Sequence, residues 1–206
     1  MKAEIISIHP ENPQTRLIKY IASKILSGVI IVFPTDSGFS IGSALDNKNG
    51  VERIRSIRNL SKNHDFTLML NSLSQIGEFA KLDNDAFRFI KRAYPGKFTF
   101  ILEATRIVPN RLVHPKKKTI GVRVTNNNLI RDLIGELGEP IMIVSLVIDG
   151  YEFLSIQDVI NKLKAKVDII IDSGYCLPMP TTVIDFTKKP YEVLRDGSGD
   201  TSSIFG

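Results

Sequence analysis

The run Val29-Ile30-Ile31-Val32-Phe33-Pro34-Thr35-Asp36-Ser37-Gly38-Phe39-Ser40-Ile41-Gly42 decides how this chain is read. Its first five side chains are β-branched or aromatic without interruption, the pattern of a strand buried on both faces. Turn chemistry follows: a proline, hydroxyls, an aspartate and flexible glycines at a strand end, where ligands often bind in α/β sheets. Two readings stand, a substrate loop or a polar hairpin closed by an Asp-Ser-Gly turn. The Gly-Lys-Ser/Thr ending of a Walker-type phosphate loop is absent.

Working outward, residues 3–8 alternate as a strand, and Asn12 before Pro13 reads as the start of a helix that Gly28 closes. Leu17, Ile21 and Ile25 would cover a sheet, with Arg16, Lys19 and Lys24 toward water. Helices are expected over 48–59, 84–94 (broken by Pro95-Gly96), 127–137 (ended by Gly138) and from Ser155, with Asp158 as its capping partner, to 166. Strands are expected over 66–70, 98–102, 119–124, 141–145, 167–171, 182–186 and 191–195, the last two joined around Lys189-Pro190. No repeat or linker composition interrupts them. Strands mixed with single helices predict one α/β domain over 1–206, a twisted mixed sheet flanked by helices and not a strictly doubly wound parallel one.

With 206 residues, 43% hydrophobic and 24% charged, the chain has globular composition and the length for one core. The longest apolar stretch is strand-sized and no basic-then-apolar leader follows Met1, so no membrane span is expected. A lone cysteine, Cys176, forms no internal disulfide and suits a reducing compartment; a cytoplasmic location is the expectation. The formal charge of +5 makes polyanions such as nucleotides or RNA plausible partners.

Arg55, Arg58 and Lys62 are spaced to share one helix face, either a grip for polyphosphate or a solvated surface. Lys116, Lys117 and Lys118 are candidates for an RNA contact or for a wet loop. Arg123 interrupts Ile120, Val122 and Val124 in a strand, and a guanidinium there needs an anion. A carboxylate or phosphate ligand is one solution and an internal acid the other; Arg195, at the end of the last strand, poses the same choice. His9, His64 and His114 lie in separate segments without metal-ligand spacing, so no metal site is expected and each reads as a surface or loop residue. Cys176 has no evident base and no Gly-x-Ser-x-Gly elbow exists, so chemistry here would be electrostatic and positional, with no protein nucleophile.

Five segments, taken in order, carry a resemblance. They are 34–38 with Ile41-Gly42, then Tyr94-Pro95-Gly96-Lys97-Phe98-Thr99, Thr119-Ile120-Gly121-Val122-Arg123-Val124, Pro180-Thr181-Thr182-Val183-Ile184-Asp185, and Val193-Leu194-Arg195-Asp196-Gly197. Together, over about 28–199, they resemble the YrdC-like superfamily, which contains the threonylcarbamoyl-AMP synthases. Phe66-Thr67-Leu68-Met69, Lys118-Thr119-Ile120-Gly121 and Val144-Ser145-Leu146 are most similar to its YciO-like branch.

The resemblance implies a positively charged concave face and condensation of L-threonine, bicarbonate and ATP, with Mg²⁺, into threonylcarbamoyl-AMP and pyrophosphate for tRNA modification. It also implies, as the alternative, binding of double-stranded RNA or tRNA without catalysis. Carried over, Thr35 would lie near the threonine ligand, Arg123 would pair with its carboxylate, Thr181 or Thr182 would hydrogen-bond nearby, and Ser145 and Arg195 would face the phosphates. Arg58 would stand in for the family's lysine and Lys62 would be available to replace a missing cation. The family's Lys-x-Arg-Pro and Ser-x-Asn patterns read here as Arg58-Asn59-Leu60-Ser61 and Ser145-Leu146-Val147, so two polar ligand groups are replaced by apolar ones at Leu60 and Val147.

Overall fold

The apolar run at 29–33 reaches the interior because strands flank it on both sides. The computed structural model describes residues 2–94, 97–148, 150–153, 155–174, 176 and 179–202. Its strands are β1 (Glu4–Ser7), β2 (Ile31–Thr35), β3 (Gly38–Ser43), β4 (Thr67–Leu70), β5 (Phe98–Glu103), β6 (Thr119–Val124), β7 (Ile141–Ser145), β8 (Val147–Ile148), β9 (Tyr151–Glu152), β10 (Ile169–Asp172), β11 (Thr182–Asp185) and β12 (Glu192–Arg195). Its helices are α1 (Thr15–Leu26), α2 (Lys48–Arg58), α3 (Ile76–Phe79), α4 (Asn84–Ala93), α5 (Asn128–Leu137) and α6 (Ile156–Leu163). Ten strands form one mixed sheet in the order β1-β10-β2-β3-β7-β4-β6-β5-β11-β12, and β8 with β9 makes a separate small hairpin.

The 29–42 segment is a tight antiparallel hairpin, β2 against β3, with Thr35 opposite Gly38. Gly38 has φ +104°, a region an L side chain rarely enters, so the turn requires glycine there. Caps follow the sequence at several helix starts: the side chains of Asn47, Asp83, Asn127 and Ser155 each accept a backbone N–H from their own first turn. The start of α1 differs, since it begins at Thr15 after Gln14 with no side-chain cap, two residues beyond the Asn12-Pro13 signal. The Pro95-Gly96 turn expected after α4, and the Tyr175 and Pro178 flanks of Cys176, lie outside the described residues.

The two faces of the sheet are covered differently. On one, α2, α3, α4 and α6 place Val51, Ile54, Ile76, Phe79, Ile90, Val159 and Leu163 over strand residues such as Leu68, Phe100, Ile120, Val122 and Ile184. On the other, α1 and α5 pack together and bury Ile18, Ile21, Ile25, Leu129, Leu133 and Ile134 against Ile31, Phe33, Met69, Ile141, Ile169 and Ile171. No residue of that second cluster comes from β5, β6, β11 or β12. Two helices thus cover only part of this face, and the remainder opens as a trough. No described helix is long and apolar enough to cross a membrane.

Candidate active site

Alternation along β6 sends Ile120, Val122 and Val124 to the helix-covered core and turns Gly121 and Arg123 into the trough. A cleft of about 420 Å³ lies there, walled by Arg58, His64, Asp65, Thr67, Thr99, Ile101, Arg123, Ser145, Thr181, Val183, Leu194 and Arg195, among others. Gly121 keeps the floor open. A Cβ at that position would come within 2.6 Å of the Thr67 hydroxyl and 3.0 Å of the Phe66 carbonyl, so only glycine lets β4 and β6 lie together beneath that hydroxyl.

Arg123 is 3% exposed. Its Nη2 donates to Asp36 Oδ1 at 2.5 Å, its Nη1 donates to Ser37 Oγ, and its Nε is buried with no hydrogen-bond partner among the described residues. The internal acid is therefore part of the answer to what this arginine faces, and one donor remains over. Asp36 and Ser37 are held in the hairpin by Thr35, whose hydroxyl donates to the Gly38 carbonyl at 2.6 Å and accepts the Ser37 amide at 3.1 Å. Thr35 is buried and does not line the cleft; it sets the turn whose Asp36 and Ser37 hold Arg123 there. The Cys176 thiol, also buried, donates to the Thr35 carbonyl at 3.3 Å, and burial raises its pKa, so it stays protonated.

Arg58 and Arg195 face the cleft from opposite walls. Arg58 donates through Nε to the Ser145 carbonyl at 2.6 Å, which leaves both terminal nitrogens without a partner among the described residues. Arg195 spends Nε and Nη2 on the Thr181 carbonyl at 3.0 and 2.8 Å, leaving Nη1. Burial lowers the pKa of both guanidinium groups from their very high ordinary value, and both remain cations. Thr181 lies in the wall with its hydroxyl 2.9 Å from that of Thr99. Ser145 lines the cleft at the exposed end of β7.

Other expected residues fall elsewhere. Thr182, the neighbour of Thr181 on a strand, points away: its hydroxyl donates to the Gly199 carbonyl and accepts the Gly197 and Gly199 amides. Lys62 is exposed and outside the cleft, because α2 ends at Arg58 with Asn59 left-handed at φ +50°, which breaks the helical spacing that would have aligned it with Arg55 and Arg58. Arg55 instead lies over the Phe66 ring at 4.6 Å and donates to the Ser61 and Arg111 carbonyls. Lys116, Lys117 and Lys118 are exposed on the turn before β6; Thr119, just after them, donates to Asp65 at the cleft edge. Leu60 packs against the helix-covered core, whereas Val147 stands in the cleft wall.

The site also contains residues that the sequence did not single out. His64, read as a surface or loop residue and found in the loop before β4, lines the cleft edge-on to Phe66 at 5.7 Å, and neither ring nitrogen makes a hydrogen bond among the described residues. Burial, and then the Arg58 charge, lower its pKa, so the imidazole is neutral at neutral pH. Thr67 and Thr99 had a legible signal, a hydroxyl on the alternate face of an otherwise apolar strand. His64 and Asp65, in a loop, had none.

The Sua5/YciO/YrdC family model, described as "Telomere recombination", matches residues 23–197. The chain belongs to this family. Within it, the uncharacterized protein YciO of Escherichia coli K12 is 44% identical over 200 residues, covering 96% of this chain and 97% of that one. The E. coli YciO crystal structure superposes with a TM-score of 0.95 at 42% identity, over 98% of this chain and 99% of that one. The threonylcarbamoyl-AMP synthase of Pyrococcus abyssi is 28% identical over 183 residues, 87% of this chain and 54% of that one. A P. abyssi Sua5 crystal structure complexed with L-threonine gives a TM-score of 0.86 at 28% identity, over 94% of this chain and 57% of that one. The mixed sheet flanked by helices is thus shared by both branches of the Sua5/YciO/YrdC family.

Proposed function

We propose that the cleft binds ATP and L-threonine and condenses them with bicarbonate into threonylcarbamoyl-AMP and pyrophosphate, at a rate reduced by the apolar residues at positions 60 and 147. The observation that carries this reading is Arg123: a buried guanidinium with a spare donor, on the floor of a ligand-sized cleft that two further arginines enter. The relationship to the Pyrococcus synthase supports it.

Threonine's ammonium group and bicarbonate give a carbamate with loss of water and a proton. A carbamate oxygen then attacks the α-phosphorus of ATP, the bond from that phosphorus to the bridging oxygen breaks, and pyrophosphate leaves. Arg123 holds the threonine carboxylate; the open nitrogens of Arg58 and Arg195 hold phosphate oxygens; the neutral His64 ring is an acceptor for the released proton. Orientation and preplaced cations do the work, and one such cation contributes on the order of 3 kcal/mol in the transition state. Mg²⁺ arriving with ATP would neutralise phosphate charge. The donor set fits an ion held mainly by phosphate oxygens, since no three acidic, His or Cys side chains converge among the described residues and Asp65 lines the cleft with one carboxylate oxygen unengaged.

The test is calorimetric titration with ATP and Mg²⁺, with and without threonine and bicarbonate, together with pyrophosphate release. Threonine binding should be lost in Arg123→Lys, which keeps the charge but has no counterpart of the Nε donor and cannot hold Asp36 and Ser37 together, and ATP binding should weaken about tenfold in Arg195→Ala. Lys62→Ala should change neither. No ATP binding at millimolar concentration would overturn the reading. The exposed 116–118 lysines beside the cleft edge favour a second reading, duplex RNA or tRNA binding, whose affinity must fall steeply with salt.

A further inference from the structure

The Arg123 guanidinium is closed in this arrangement. Its Nε and Nη2 form the edge that a carboxylate grips with two parallel bonds. Nη2 is taken by Asp36, while Nε is buried and has no partner among the described residues. A ligand carboxylate cannot reach Nε while every side chain stays in place, and a two-pronged grip needs the nitrogen that Asp36 holds. Asp36 is the part of this cover that is free to leave. It engages Arg123 through Oδ1, its Oδ2 makes no hydrogen bond among the described residues, and its side chain is 26% exposed above a buried partner. The backbone beneath it is tied independently, by the Thr35 hydroxyl to the Gly38 carbonyl and the Ser37 amide, and by the Cys176 thiol to the Thr35 carbonyl. Ser37 holds Nη1 separately. Turning the Asp36 side chain toward solvent therefore opens the Nε–Nη2 edge without moving the hairpin or releasing Arg123.

We infer that Asp36 is an internal stand-in for the ligand's carboxylate, seated on Arg123 until a carboxylate-bearing ligand takes the Nε–Nη2 edge and Asp36 turns out to solvent in exchange. Breaking a buried ion pair is strongly unfavourable unless the remaining charge receives an equivalent partner. An incoming carboxylate is such a partner; an amide of the same shape is not, because it leaves the buried guanidinium without a counter-charge. Asp36 thus sets two properties of the site at once, weakening its affinity for acids and excluding their neutral derivatives. The inference rests on the reading of Arg123 as the carboxylate receptor and adds the residue that the ligand must displace.

The experiment is NMR titration of the wild-type protein and Asp36→Asn with acetate, L-threonine and threoninamide, read at the Arg123 Nε–H resonance, and separately with ATP and Mg²⁺. Asp36→Asn keeps an acceptor for Nη2 without the charge, so it should bind acetate and threonine about tenfold more tightly than the wild type. Threoninamide should leave the Arg123 resonance of the wild type unmoved. In the wild type, which needs no variant to fold, the Asp36 carboxyl carbon resonance should shift in step with that of Arg123 Nε–H as threonine is added. Unchanged or weaker carboxylate binding in folded Asp36→Asn overturns the inference, as does an Asp36 resonance that stays still while that of Arg123 moves. Tighter threonine binding in Asp36→Asn with no ATP binding to either protein upholds the role of Asp36 and overturns the synthase reading. ATP binding to both proteins with equal threonine affinities overturns the inference alone.

Discussion

Met69 and Arg123 are register partners on adjacent strands and lie on the same face of the sheet, yet one is core and the other is site. Met69 is fully buried beneath the α1 and α5 side; Arg123 is 3% exposed but belongs to the cleft. The difference is which helices stand above each strand. Where α1 and α5 reach, the face is Ile31, Phe33, Ile141, Ile169 and Ile171; where they stop, it is Thr67, Thr99, Arg123 and Thr181. The same pleat thus supplies stability in one half and chemistry in the other. Polar groups in the open half are satisfied one by one through neighbours such as Asp36 and Ser37, because no described helix covers them.

The sharpest way to break this comparison is in the covered half. Phe33→Ala should cost about 3–5 kcal/mol in urea denaturation, as expected for deleting a fully buried ring, with the cleft's ligand preferences unchanged in the folded fraction. A loss under 1 kcal/mol would mean that the two-helix layer is not the stabilising half. Next in size is the margin of the open half, where Thr182→Val leaves the Gly197 and Gly199 amides without their acceptor and should cost about 1–3 kcal/mol. Thr182→Ser should restore most of that loss, which thermal melts would show.

The smallest effect concerns His64. Its folded pKa lies below the ordinary value near 6.5, so the unfolded chain takes up the proton first. The stability associated with the neutral ring is complete above about pH 6.5 and declines as pH falls from there through the folded pKa. Denaturation curves measured across this window should show that slope in the wild type and a shallower one in His64→Gln. A slope of the opposite sign would place the ring in a cation-stabilising environment.

Much of this architecture was legible in the residues because it depends on local pattern. The buried strand read at 29–33, which the structure sets two residues later at Ile31–Thr35, the cap at Ser155 and the Gly138 stop follow from periodicity and turn chemistry, and Arg123 declared itself as a cation among apolar strand neighbours. What stayed hidden depends on tertiary direction. Nothing in the Thr181-Thr182 pair says which hydroxyl faces the ligand; the strand's alternation gives one to the cleft and the other to the Gly197–Gly199 backbone. The Arg55, Arg58 and Lys62 spacing assumed an unbroken helix, and the left-handed Asn59 ended it. His64 acquires its place from a loop, whose course the sequence pattern does not encode.

The anchoring of Gly197 and Gly199 by Thr182 also bears on when the site comes into being. One wall of the cleft, Thr181, Val183, Leu194 and Arg195, lies on or just before the last two strands, and β11 joins the earlier part of the sheet by pairing with β5, more than eighty residues before it. A nascent chain emerging from the ribosome can assemble the α1 and α5 layer and most of the sheet while this wall is still missing. Ligand binding is therefore the final property the molecule acquires during synthesis, gained when the 181–199 segment closes this long-range contact.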